Sequence, residues 1–528
     1  MKTISWERWL KWSLVLGSAA ALLWLVFSIY AAGQTVWAVG VLALVSLGFF
    51  IYLSDIAFAY RYLFPGLAAM AIFVAFPLLY TAQIGFTNYS SSNLLSFERA
   101  RAYLLEQTTA DDAHALAYTL HRDGDEFRIV LAPRHDEEDE RDAAKLSALR
   151  AGSFVSPPLA MAGRRQPTKI MMLPLGADNF RDSLQRNQPL PLPELLKHRT
   201  RLMQLTLELP DHLLLNYAGL REFAPLNPLW KSGADGSLTR LETGVVYHPN
   251  HDTGYFENSQ AERLQPGFKV GVGFANYARM VTDPDFRGPF LKIFVWTVLF
   301  AGITVLLTTA VGITLAVMLN WESLRFRTAY RTLLFLPYAV PAFISILVFK
   351  GLFNQNFGEI NMILNALFGV KPAWFADPLL AQVMILIVNT WLGYPYIMVL
   401  CTGLIKAIPS DLYEASAIAG AKPLTNFFKI TVPLMIKPLT PLLISVFAFN
   451  FNNFVLIALL TDGRPDFLNT KLPAGTTDIL VSYTYRIAFK DSGQNFGLAA
   501  AISTVIFFMV ALLSLVNLKL AKVNDHKD

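Results

Sequence analysis

Eight windows of about 20 apolar residues begin near Ser13, Val36, Pro65, Phe294, Leu333, Val383, Leu434 and Leu498, each long enough for a helix to cross the hydrocarbon layer. Hydrophobic residues make up 54% of the sequence, charged ones 16%, and the mean hydropathy is +0.41. The fold class expected is therefore an all-α polytopic membrane protein with eight transmembrane helices. The first window is too long for the apolar core of a cleavable signal, and the second span follows almost at once, so it reads as a retained span.

Lysine and arginine in short loops set the orientation. Lys2, Arg8 and Lys11 precede the first span, and Arg325, Arg327 and Arg331 separate the fourth from the fifth. Lys406, Lys422, Lys429 and Lys437 flank the connection between the sixth and seventh, and Lys519, Lys522 and Lys527 close the chain. All fall on one side, which reads as cytoplasmic with both termini inside; Asp55 against Arg61 is the weak vote. The turn at Ala32, Gly33 and Gln34 and the segments near 354–380 and 461–496 then lie outside.

The chain divides into residues 1–64 with the first two spans, 65–89 with the third, an insertion over 90–285, and a core over 286–528. The insertion must face the periplasm and is long enough to fold as a β-rich or mixed domain. Alternation over Phe127–Leu131 and over Arg201–Leu207 predicts strands. Cys401, the sole cysteine, falls in the sixth span, so the insertion uses no disulfide. Asp136–Glu140 after His135, and His248, His251 and Asp252, are ligand-type residues at short spacing. The first reads as a solvated tether and the second as a turn, so no metal site is expected. The net charge of +5 is spread over loops and marks no nucleic-acid surface.

What drives such a chain is narrowed by its residues. No G-x-x-x-x-G-K-[ST] loop cradles nucleotide phosphates. The spans carry essentially no Asp, Glu or His at mid-membrane, and Lys350 lies near a helix end, whereas proton or sodium coupling uses such groups. The energy must come from a separate subunit.

The seventh span holds Phe449, Asn450, Asn452 and Asn453 within one turn. An unsatisfied buried amide costs about 1–3 kcal/mol, so these must face protein or water. Asn450 and Asn453 at i,i+3, and Phe449 and Asn453 at i,i+4, predict one face with a ring beside amides, which suits a sugar. Hydrogen-bonded glue between membrane helices is the equal alternative. Prolines interrupt the fifth span at Leu336–Pro341 and the sixth at Asn389–Tyr396, and broken helices at membrane depth are tolerated where they line a cavity. Tyr338, Asn389, Trp391 and Tyr396 are thus candidates for the same pathway, a kink with packing tyrosines being the alternative.

Between the sixth and seventh spans runs YEASAIAGAKPLTNFFKITVPL, Tyr413–Leu434. Asp411 and Glu414 fall early in a helix that Ser410 can cap, and Ala415, Ala417, Ala419 and Ala421 make it slim. Gly420 lets the chain turn, Lys422 and Pro423 stop the helix, and Phe427 and Phe428 offer aromatic anchors to a partner. Glu414, Ala415, Ser416, Gly420, Ile430 and Pro433 reproduce the spacing EAA-x3-G-x9-I-x-LP, with Ser416 and Val432 departing from it. The loop resembles the EAA loop of the membrane subunits of bacterial ABC importers.

The segments FTNYSS, IFVWTV, LPYAVP, FKGLFNQ, NTWLGYPY, FAFNFNNF and SYTYRIAF extend the likeness. Outside residues 100–215 the chain resembles the permeases of bacterial maltose/maltodextrin ABC importers. That resemblance implies a type I permease core paired with a MalG-like second permease. It implies a MalK-like ATPase dimer docked at Glu414, Ala415, Ser416 and Gly420, and a periplasmic maltose-binding protein above the pore. ATP and Mg are used by the ATPase, and no cofactor is held by this chain. It implies a maltose or maltodextrin site at Tyr338, Gly393, Tyr396, Phe449, Asn450 and Asn453. Ala342 and Val446 stand where the family carries small hydroxyl residues, which trims hydrogen bonds to one sugar ring.

Overall fold

The computed structural model describes residues 6–133, 153–160, 168–175, 188–321, 323–468, 470, 472–491 and 493–525. They form two units, Met1–Ser91 with Gly271–Asp528, and Ser92–Val270. His135 and the acidic run Asp136–Glu140 lie outside the described residues.

The first unit is helical. Helices α1 (Trp6–Ala31) and α2 (Thr35–Leu53) form a hairpin about Gly33, whose φ of +79° suits the turn. Helix α3 follows over Phe64–Gly85. After the insertion come α4 (Ala275–Thr282), α5 (Pro284–Asn320), α6 (Arg327–Ala339), α7 (Ala342–Leu352), α8 (Glu359–Phe368) and α9 (Pro378–Lys406). Next are α10 (Ser410–Ile418), α11 (Pro423–Phe451), α12 (Phe454–Leu460), α13 (Leu480–Phe489) and α14 (Phe496–Asp525). Among the described residues, α1, α2, α3, α5, α9 and α11 are six helices long and apolar enough to cross a membrane. The pair α6 and α7, bent by 91°, makes a seventh if read as one span. The last expected span is α14, whose apolar stretch Phe496–Leu512 is shorter than these.

Prolines explain the irregularities. A proline removes one i→i−4 bond and crowds the carbonyl four residues back. Helix α3 widens to a π turn over Ala71–Ala75 just before Pro77, and α11 does the same over Phe427–Thr431 before Pro433. At Pro341 the helix gives way altogether, because Val340 before it is extended (ψ 131°), as a residue preceding proline prefers. The interruption expected at Asn389–Tyr396 does not occur: α9 runs unbroken through Pro395. Its neighbours hold it there, Tyr394 Oη donating to the Leu334 carbonyl at 2.8 Å.

Residues 271–285, assigned to the insertion from sequence, belong with the helical unit. Met280 on α4 and Phe286 at the start of α5 are buried in one core with Tyr483, Leu498 and Ile502.

The second unit is β-rich. Eight strands form one mixed sheet whose centre is the hairpin Leu116–Asp123 and Glu126–Pro133. Asp123 pairs with Glu126, so two residues turn the chain, and Gly124 at φ +64° takes the first central position of a II′-like turn. Leu120, Ile129, Leu131, Leu205, Leu207 and Phe223 fill the core. Strand Thr168–Met171 lies parallel to Leu205–Glu208 at one edge. The strand expected over Arg201–Leu207 begins only at Leu205, since Arg199–Leu202 completes a short helix that buries Leu202. A second sheet has four antiparallel strands, Trp230–Ser232, Leu238–Arg240, Val246–Asn250 and Tyr255–Glu257.

His248 therefore sits in a strand rather than a turn, and the turn starts at His251. The two imidazoles have separate partners. His248 Nδ1 lies 3.3 Å from Asp235 Oδ2, while the His251 ring packs on Phe97 and Phe268. Among the described residues no group of three or more His, Cys, Asp or Glu is placed to hold a metal.

The segment before α13 closes on a buried ion pair. Arg486 donates through Nη1 to Asp478 Oδ2 at 2.7 Å and through Nη2 to Asp466 Oδ1 at 2.5 Å. Asp478 is wholly buried and also accepts from the Gly475 amide and the Ser482 hydroxyl, each at 2.8 Å. Burial pushes its carboxyl up to about 6, against the pull of Arg486 and these donors.

Candidate functional site

Helices α5 and α9 meet along a seam that repeats every four residues. Thr304 receives a bond from Asn389, Gly393 lies against Thr308, and Gly312 lies against Ile397. A Cβ on Gly393 would stand 2.8 Å from Thr308 Cγ2, and one on Gly312 would stand 2.7 Å from Ile397 Cγ2. Small residues at such contacts let membrane helices approach, where no hydrophobic drive between helices exists. Gly393→Ala is expected to cost about 1–3 kcal/mol by overpacking. Thr308→Ala, which removes the obstructing methyl, is expected to recover most of that in the thermal midpoint of the purified complex. Effects that merely add would assign Gly393 another role.

At the head of the seam three helices are joined by amides. Asn389 Nδ2 donates to Thr304 Oγ1 at 3.1 Å and to Asn450 Oδ1 at 2.7 Å. Its Oδ1 accepts from Asn453 Nδ2 at 3.3 Å. Asn450, only 4% exposed, donates back to the Val446 carbonyl at 2.9 Å. Asn453 caps α12, its Oδ1 accepting from the Leu456 amide. Asn450 and Asn453 converge through their shared partner Asn389, whereas exposed Phe449 does not share their face. Helix α11 ends at Phe451 and Asn452 turns away at φ −112°, so the i,i+4 relation of Phe449 to Asn453 fails. Each amide offers two donors and two lone pairs, and Asn450 spends one of each kind within the chain.

The aromatic candidates are exposed: Phe449 by 71%, Tyr338 by 51% and Tyr396 by 38%. Tyr338 lies on α6 one turn past Leu334, the carbonyl tied to α9, and stacks on Phe335 at 5.4 Å between ring centres. Trp391 instead packs edge to face on Phe349 of α7, at 5.0 Å between ring centres. Thr304 was not anticipated from sequence. The signal was present, since Thr297, Thr304 and Thr308 recur at i, i+7 and i+11 in an apolar span and all are buried.

The loop after α9 is built as a projecting knob. Gly420, at φ +72°, ends α10 with a Schellman pair: its amide donates to the Ala417 carbonyl and that of Ala421 to Ser416, both at 3.0 Å. Ser410 does not cap the helix; it is the first helical residue, after Pro409, and its hydroxyl lies toward Asp411. The Ser416 hydroxyl donates to Asn426 Oδ1, and the Tyr413 and Thr431 hydroxyls meet at 3.0 Å, so α10 is pinned to the start of α11. The aromatic pair splits. Phe427 packs inward beside Met435 and Leu439, and Phe428 points out. Ile418, Leu424 and Phe428 give the knob an apolar surface, with Glu414 and Ala415 exposed beside it. Among the described residues Glu414 has no hydrogen bond or ion pair within the chain.

A bundle of apolar helices with one hinged span, a buried amide centre and a projecting loop defines a membrane permease core. The family model "Binding-protein-dependent transport system inner membrane component" matches residues 308–523. A second, "Maltose transport system permease protein MalF P2 domain", matches residues 95–273. Curated relatives from several bacteria carry the name "Maltose/maltodextrin transport system permease protein MalF". The Klebsiella aerogenes protein is 49% identical, over 97% of this chain and 96% of its own. The Yersinia pestis protein is 46% identical over 99% and 96%, and the Escherichia coli O157:H7 protein 49% over 98% and 99%. The chain belongs to the MalF family of maltose/maltodextrin transport system permeases. It is an inner-membrane permease subunit of an ABC importer rather than an enzyme, and binding-protein-dependent transport implies a periplasmic binding protein and an ATPase as partners.

Proposed function

We propose that this chain lines the pathway by which maltose and maltodextrins pass from periplasm to cytoplasm, within an ATP-driven importer that works by alternating access. The reading rests above all on the amide cluster of Asn389, Asn450 and Asn453 where α5, α9 and α11 meet, with Phe449 exposed on the last turn of α11 next to Asn450 in the chain. An aromatic ring offers a flat face to the C–H side of a sugar, and amides offer paired donors and acceptors to its hydroxyls. Tyr338, Tyr396, Phe449, Asn450 and Asn453 would contact the sugar, with Gly393 keeping the backbone of α9 close. Asn450 would exchange its internal bonds for sugar hydroxyls as the helices rearrange.

In this reading eight spans cross the inner membrane with both termini in the cytoplasm, and residues 92–270 stand in the periplasm to hold a loaded maltose-binding protein. A MalG-like permease completes the pore, and a MalK-like ATPase dimer, which alone uses ATP and Mg, receives the knob at Glu414, Ala415, Ser416 and Gly420. Closure of that dimer pulls α10 and opens the cavity outward; hydrolysis resets it.

The test is ATP hydrolysis and sugar uptake by the complex reconstituted with its binding protein. Maltose is expected to stimulate hydrolysis in the wild type. In Phe449→Ala uptake is expected to fall about tenfold, equivalent to ~1.4 kcal/mol, while stimulation by the binding protein persists. Stimulation by another oligosaccharide, with none by any maltodextrin, would discard the maltose reading and keep the importer.

A further inference from the structure

The geometry of α1, α2 and α3 points to a binding site for one acyl chain of an anionic phospholipid, with its headgroup at Arg61 and Lys11. This goes beyond the sugar pathway and rests only on the helices' being in a membrane. The three helices enclose an open groove of about 430 Å3, whose walls include Ser18 and Leu22 of α1, Gly48 and Tyr52 of α2, and Phe64 and Ile72 of α3. Its surface is hydrocarbon. The two hydroxyls present are already spent, Ser18 donating to the Val15 carbonyl at 2.9 Å and Tyr52 to the Arg61 carbonyl at 3.3 Å. Gly48 opens the groove, since a Cβ there would meet the Phe64 ring at 3.0 Å.

The groove has the depth of a single leaflet. Its walls run from Leu44 to Leu53 on α2 and from Phe64 to Ile72 on α3. At about 1.5 Å per residue these are roughly 12–14 Å, near half of a hydrocarbon layer of about 30 Å. A helix of a partner protein would seek a groove crossing the whole layer, whereas one lipid tail ends at mid-membrane.

The shallow end carries the charge. Arg61, in the turn between α2 and α3, is fixed by Nε to the Ile51 carbonyl and by Nη2 to the Ser54 carbonyl, both at 3.1 Å. Nη1 makes no hydrogen bond within the chain among the described residues. Asp55 stands 3.7 Å from Nη2 with its side chain wholly exposed, a weak competitor in water. Lys11 lies four and seven residues before Val15 and Ser18, hence on the groove face of α1 at the same end, and is exposed. A guanidinium with free donors suits a phosphate, and a second cation favours an anionic headgroup over a zwitterionic one. In the orientation proposed above, this end faces the cytoplasmic leaflet.

The complex would be placed in nanodiscs of phosphatidylglycerol mixed with phosphatidylethanolamine, delipidated in mild detergent, and weighed by native mass spectrometry. One phosphatidylglycerol is expected to remain on the wild-type chain in preference to phosphatidylethanolamine. Lys11→Gln and Arg61→Gln are each expected to lower its retention about fivefold, and Gly48→Leu, which fills the groove, to abolish it. Lys11 is exposed, so its variant tests the site even where Arg61→Gln impairs assembly. Equal retention of both lipids, retention unchanged in Lys11→Gln and Gly48→Leu, or cross-linking of Ser18→Cys to another subunit would each overturn the proposal.

Discussion

Glu414→Lys is expected to abolish energised uptake, lowering it at least about 100-fold while the chain remains inserted and folded. The carboxylate is exposed and without a partner of its own, on a knob whose exposed apolar residues are Ile418, Leu424 and Phe428. Reversing a charge that pairs across an interface costs about 2–5 kcal/mol, much of it from leaving the partner group buried and unmatched. The knob's shape is untouched, because Gly420, Ser416 and Tyr413 hold it through bonds that do not involve Glu414. Co-purification of the ATPase and ATP hydrolysis in proteoliposomes would both be measured. Normal co-purification with normal stimulation would remove Glu414 from the docking surface.

Arg486→Ala is expected to have the largest effect on stability, about 3–5 kcal/mol, because it strands Asp478 as an uncompensated buried charge. The pH dependence has a definite sign. Burial already raises the Asp478 carboxyl to about 6, so the folded chain binds its proton more tightly than the unfolded chain does. Its contribution to stability therefore falls as pH rises from the ordinary carboxylate range through that value. Without the guanidinium the carboxyl rises further, and the variant should be less damaged at pH 5.5 than at pH 8. The double variant Asp478→Asn with Arg486→Leu should recover part of the loss at pH 8. Thermal midpoints of the purified complex at the two pH values would decide it; an equal loss at both would mean that Arg486 acts through packing and not through charge.

The amide cluster shows why site residues separated in sequence were only partly legible. Asn450 and Asn453 announced themselves as polar groups in an apolar span, and both join the cluster, Asn450 buried and Asn453 half-buried. Their common partner Asn389 was visible as a polar residue before a proline, but its role as the bridge depends on how closely α5 approaches α9. That approach is set by Gly393 and Gly312, whose packing role has no signature in a single span. Phe449 was placed on the amide face by helical periodicity, and the end of α11 at Phe451 separated it. Periodicity reports a face only as far as the helix continues.

Other features divide along the same line. Apolar length, proline position and the run from Glu414 to Pro433 are local properties, so the long spans, the hinge at Pro341 and the projecting loop with its turn at Gly420 could be read from residues in order. Pro395 looked equivalent to Pro341 and was not, because Tyr394 bonds to Leu334 and neighbouring helices support the helix that the proline weakens. Ser416 looked like a departure from the loop pattern, and the fold gives it Asn426 as a partner. Arg486 and Asp478 are eight residues apart on a segment with no strong pattern, and only folding removes both from water and makes each the other's condition for burial. By itself the sequence determined six of the long apolar helices, the break at Pro341 and the turn at Gly420, since hydrophobic length and turn chemistry act within a few residues. Which polar groups meet, which aromatic rings stay exposed and which charges are paired was decided by tertiary structure, since those depend on distances between helices that no single helix encodes.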